Sequence, residues 1–122
     1  MKLSEAMMLG ATAHGVDGTT WEGCLLGVSV KAVGGNNTFN LEALARWPWI
    51  RKKVQSPEHL GYTGASCPAE TLLSGLAIRV MSGEVTLEQV VDWVRSVEPV
   101  NGGAGEVEVA AQGWKELQHE TL

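Results

Sequence analysis

Aromatic residues are scarce in this chain of 122 residues: they make up 6% of it, as one Phe, one Tyr and five Trp. A core of stacked Phe and Tyr rings is excluded. The interior must instead be Val, Leu and Ala packed around a few large indole anchors. Cysteine is scarcer still, with Cys24 and Cys67 the only two. That is too few for a disulfide framework. It leaves a single bridge or two reduced thiols, and reduced thiols are the usual state in a cytoplasmic chain. No apolar run approaches the length that crosses a bilayer. Lys2 and Ala11-Thr12-Ala13 imitate two parts of a secretion signal, but Ser4 and Glu5 stand where the apolar run should begin, so a cytoplasmic location is expected.

Hydrophobic content of 44% against 19% charged residues belongs to a chain that folds, and 122 residues suffice for one domain with a real core. The net charge of −5 is unevenly spread. Residues 1–83 hold seven Lys and Arg against six acids, whereas residues 84–122 hold two against eight. The C-terminal third is therefore a poor general surface for nucleic acid, because like charge repels phosphate.

Periodicity points to an all-α fold, a compact bundle of about five short helices over residues 1–100. The first helix is expected over Leu3 to His14, with Ser4 as N-cap, Leu3, Met7 and Ala11 inward, and Gly15 as its stop. Thr19-Thr20-Trp21-Glu22 fits a capping box for a second helix, in which Trp21, Cys24, Leu25, Val28 and Ala32 share a face. Gly27 to Val33 also alternates like a strand, so helix and strand compete there. Gly23 and Gly27 would let another stretch of backbone approach closely. A short helix over Leu41 to Arg46, capped by Asn40, is followed by another that starts at Pro48 and runs to about Gln55. Pro68 and Gly83 bracket a fifth helical segment, with Leu72, Leu73, Leu76, Ala77 and Val80 inward. Thr86-Leu87-Glu88-Gln89 is a second capping box, opening a helix over Leu87 to Glu98 that Pro99 ends. Residues 101–122 read as a linker and polar tail, in which Glu106-Val107-Glu108-Val109 alternates like a short strand.

Little of this pattern carries chemistry. Cys67 stands before a helix start, where a thiolate would be stabilised, but no base is spaced to serve it. His14, Cys24, His59 and Cys67 are metal-ligating types without paired ligand spacing, and no metal or cofactor is expected. Gly34-Gly35 and Gly102-Gly103 lack the lysine and helix of a phosphate loop. The connection Gly83-Glu84-Val85-Thr86 has the length of a helix-turn-helix turn. However, the following helix would present Glu88, Gln89, Asp92, Arg95 and Glu98, an acidic set unsuited to DNA, so a structural hairpin is expected.

The densest signal is Arg46-Trp47-Pro48-Trp49-Ile50-Arg51-Lys52-Lys53, with four of the nine basic residues and two of the five Trp. One reading buries the indoles as anchors and leaves the cations solvated. Another leaves a Trp exposed for a partner protein, where Trp and Arg are typical anchors, or for stacking on bases. Arg46, Trp47, Trp49, Arg51, Lys52 and Lys53 are the candidate binding residues. A protein partner is the leading expectation and nucleic acid the alternative. A thiol enzyme using Cys67 is a minor third, and no membrane partner is expected.

Lys2-Leu3-Ser4-Glu5-Ala6 with Leu9-Gly10 and Cys24-Leu25-Leu26-Gly27, and later Thr86-Leu87-Glu88-Gln89-Val90-Val91-Asp92-Trp93-Val94 with Glu98, resemble a loose group of short, uncharacterised phage and bacterial proteins. Those open K-L-S-E-A-x-x-L-G and end near T-x-E-x-I-A-D-W-V. They tend to carry Cys-Pro-x-Cys before the last helices, of which Cys67-Pro68-Ala69-Glu70 keeps the first cysteine alone. The resemblance implies an accessory protein of a mobile element and transfers no activity.

Overall fold

The computed structural model describes residues 1–35 and 40–99. In chain order its regular elements are α1 (Leu3–His14), α2 (Leu25–Ala32), α3 (Asn40–Arg46), a 3-10 turn (Pro48–Arg51), β1 (Lys53–Gln55), a second 3-10 turn (Glu58–Leu60), β2 (Ser66–Pro68), α4 (Ala69–Ser82) and α5 (Leu87–Val97). The fold is helical but not all-α: β1 and β2 form a two-stranded antiparallel sheet. The loop at 36–39 and the expected boundary between domain and tail at 101 lie outside the described residues.

α2 is the central element. Every residue from Leu25 to Val30 is buried, and the helix meets α1, α3 and α4. The competition between helix and strand at 27–33 is thus decided by surroundings: a segment enclosed by helices gains most by satisfying its own backbone. Its start is later than expected, because Asp17 takes over the proposed cap. The Asp17 carboxylate accepts from the Thr19 amide at 2.9 Å and its hydroxyl at 2.6 Å, so Thr19 is unavailable to a helix. Residues 19–24 become turns, and Cys24 is the N-cap, its Sγ accepting from the Gly27 amide at 3.3 Å.

α1 packs along α2 and α5. Its crossing with α2 depends on Gly10, where an added Cβ would lie 2.0 Å from the Val28 carbonyl oxygen. The glycines singled out in the sequence serve a more local purpose: Gly27 fits under the Trp21 carbonyl and Gly23 against Asp17. Leu3, Met7 and Ala11 are buried as expected, but Ser4 is no N-cap. Its amide and hydroxyl donate to the Glu98 carboxylate, at 3.2 and 2.5 Å. The end of α5 therefore closes the start of α1, supplying the acceptor that a helix N-terminus needs.

α4 ends as expected at Gly83, in the left-handed conformation. α5 has the full capping box: Thr86 Oγ1 accepts from Gln89 N at 3.1 Å and Gln89 Oε1 from Thr86 N at 2.8 Å. α5 packs on α1, and its Val90, Val91, Trp93 and Val94 are buried in the core that α4 also enters.

Candidate functional site

The helix expected over residues 48–55 is a single 3-10 turn followed by β1. Trp47 leaves helical geometry (φ −132°, ψ 71°), as the residue before a proline must. The turn is closed by Ile50 N donating to Trp47 O at 3.1 Å and Lys52 N to Trp49 O at 2.9 Å. Three residues per turn set Trp47 and Ile50 on one side, and both are fully buried. Lys52 is extended and leads straight into the strand.

Both indoles belong to the core. Trp47 has no exposure and its Nε1 donates to the Met1 carbonyl at 3.1 Å; Trp49 is 7% exposed, with its Nε1 buried and unpartnered. Burying an indole contributes about 4–6 kcal/mol of transfer free energy, whereas stacking one on a base returns about 1–3. Extracting either Trp to meet a ligand is a net loss. The reading with an exposed Trp therefore fails on packing, and Trp47 and Trp49 act as anchors beneath the segment.

The cations separate as well. Arg46 is held by Glu42 one helical turn back, through Nε at 3.1 Å and Nη2 at 3.0 Å. Arg51, Lys52 and Lys53 are exposed and form no ion pair with another described residue. The six candidate residues thus become two buried anchors, one paired arginine and a ridge of three free cations on a pinned backbone.

β1 continues the ridge into an open groove of about 580 Å³, lined by Gln55, Ser56, Pro57, Glu58, His59, Trp93, Ser96 and Val97. That volume suits a small ligand or a few residues of peptide. The groove lies between the strand end and the last turn of α5, elements some 40 residues apart, and no sequence motif marks it. Its hydroxyls are already used: Ser56 donates to the Ala65 carbonyl, and Ser96 to the Trp93 carbonyl at 2.6 Å. Arg79 stacks on Tyr62, with the guanidinium 4.8 Å from the ring centroid, and neither lines the groove.

The thiols are free. Cys67 lies in β2 opposite Val54, not at the helix cap, and does not line the groove. The thiol that does cap a helix is Cys24, and burial raises its pKa from the ordinary 9.0, outweighing the amide bonds that lower it. It is thus held in its un-ionised, less nucleophilic form. Among the described residues no three His, Cys, Asp or Glu side chains gather into a metal-binding group, so His14, Cys24, His59 and Cys67 form no such set.

α5 exposes Glu88, Asp92 and Arg95, with Arg95 bound to Asp92 at 3.2 Å and Gln89 used in the capping box. Nothing on that face suits a DNA groove. No described helix is long and apolar enough to cross a membrane. The residues that carry the phage-protein resemblance are mainly structural: Leu3 and Ala6 are core, Thr86 and Gln89 are cap, and Glu98 closes α1. Compared with known proteins, the chain matches no protein-family model, no curated protein and no solved structure.

Proposed function

We propose that this chain is a non-enzymatic binding protein of phage or mobile-element type, acting in the cytoplasm and docking on an acidic protein partner through Arg51, Lys52 and Lys53. One observation carries the reading. In a chain of net charge −5, three adjacent cations are exposed, form no ion pair with a described residue and follow a turn whose indoles are buried. Uncompensated cations on a rigid base hold a field that an acidic surface completes with little ordering cost. Two free thiols fit the cytoplasm, and the resemblance described above supports the mobile-element origin.

Nucleic acid is the second reading, favoured by the same adjacency. Three phosphate contacts give weak binding that falls steeply with salt. Fluorescence anisotropy distinguishes the two. A labelled glutamate-rich peptide should bind more tightly than a single-stranded oligonucleotide at physiological salt. Arg51→Ala/Lys52→Ala/Lys53→Ala should weaken the peptide at least about tenfold, from roughly 0.5–1 kcal/mol per exposed pair. A peptide affinity unchanged in the triple variant contradicts the proposal. Preference for the oligonucleotide, lost in that variant, favours the second reading.

A further inference from the structure

We propose that β1 is a docking edge, and that the partner's acidic segment binds there as an added antiparallel or parallel strand. The inference rests on the reading above for the partner's charge and adds the mode of recognition. Its basis is the strand register. Lys53 lies opposite Pro68, Val54 opposite Cys67 and Gln55 opposite Ser66. The Ala69 amide donates to the Lys52 carbonyl at 3.2 Å. In an antiparallel ladder inward-facing pairs alternate with outward-facing ones. Lys52 and Val54 therefore turn their backbone groups toward β2, and Lys53 and Gln55 turn theirs away from it. No backbone bond to a described residue occupies those outward amides and carbonyls.

The two edges of the sheet are not equivalent. On β2 the outward position opposite Lys53 is Pro68, which has no N–H to offer. That edge is closed to strand addition, while the β1 edge is open. The open edge also carries the cations: Lys53 and Gln55 are exposed, Lys52 and Arg51 precede them, and Gln55 is shared with the groove beside Trp93 and Val97. An extended segment with acids at alternate positions, about 7 Å apart, could bond through its backbone to Lys53 and Gln55 and set its carboxylates on the face that carries the Lys53 side chain. Apolar residues between the acids would face the Val54 side, which is half-buried. The occupant is thus an extended peptide of alternating acidic and β-branched residues on a partner protein.

Amide hydrogen exchange on the full chain tests this with two synthetic peptides of equal charge, one alternating Glu and Val, the other the same sequence with its backbone amides N-methylated. The Glu-Val peptide should slow exchange at Lys53 and Gln55 by about tenfold or more and leave Val54, already paired with Cys67, unchanged. The N-methylated peptide, which keeps its carboxylates but has no backbone N–H groups to donate, should give no such protection. If both peptides bind without protecting Lys53 and Gln55, strand addition is wrong and the cationic docking reading survives. If neither binds, both fail, and the lysines only guard the edge against aggregation. Protection of both amides before any peptide is added also overturns the proposal. The edge would then be filled by a second copy or by this chain, whose Glu106-Val107-Glu108-Val109 has the same alternation.

Discussion

Gly10 shows how much can depend on one hydrogen atom in place of a methyl group. With the Val28 carbonyl where a Cβ would be, Gly10→Ala must push α1 off α2. Overpacking costs about 1–3 kcal/mol, and against a backbone carbonyl that cannot swing aside it outweighs the roughly 1 kcal/mol gained from better helix propensity. Chemical denaturation should therefore show a destabilised variant, although alanine is the better helix former. Cys24 gives a pH signature. Its thiol ionises above the ordinary 9.0 in the fold, because burial opposes the charge. The unfolded chain ionises first as pH rises. The stabilisation is complete below 9.0, the unfolded thiol's value, and is lost as pH rises through the folded pKa. Cys24→Ser keeps a cap acceptor that does not ionise, so the stability difference between variant and parent should shift in the variant's favour above pH 9. A pH-independent difference in denaturation midpoint would contradict the assignment.

At the level of elements, the segments legible in the sequence were those whose ends are fixed by neighbours a few residues away. α4 and α5 fall where caps, glycine stops and apolar spacing put them, and α1 where its apolar spacing and Gly15 do. Thr86→Ala removes the hydroxyl that accepts from the Gln89 amide, leaves the backbone amide that donates to Gln89 Oε1, and should cost about 1 kcal/mol in denaturation experiments. What was not legible depends on choices between equal local options or on distant partners. Thr19 is a good cap that Asp17 claims first. β1 has three residues, too few for a period of two to stand out, and exists because β2 lies opposite it. Ser4 reads as a cap until Glu98, 94 residues away, supplies a carboxylate. Arg46 to Lys53 was visible as a cluster, but which side faces inward was decided by the 3-10 turn, whose three-fold repeat the sequence does not advertise. The groove follows from where α5 comes to rest, a consequence of α1 and not of its own turn.

Across the whole molecule the account divides aromatic from cationic character. Trp47, Trp49 and Trp93 hold the interior together, while Arg51, Lys52 and Lys53 are exposed on one ridge and pair with no described acid, in a protein that is acidic overall. The acidic residues Glu84, Glu88 and Asp92 lie on the turn before α5 and on its exposed face, so the charge is segregated by element and not only along the chain. Such segregation orients an acidic partner before contact and weakens with salt. The central claim is that the ridge and the β1 edge, and not the helix faces, form the contact surface. A titration of the isotope-labelled protein with the Glu-Val peptide, followed residue by residue by NMR, tests it most directly. The account predicts shifts concentrated at Arg51 to Gln55 and at the Trp93 indole, with α1 and α3 unmoved. Shifts centred on α1 or α3, with Arg51 to Gln55 unchanged, would contradict it.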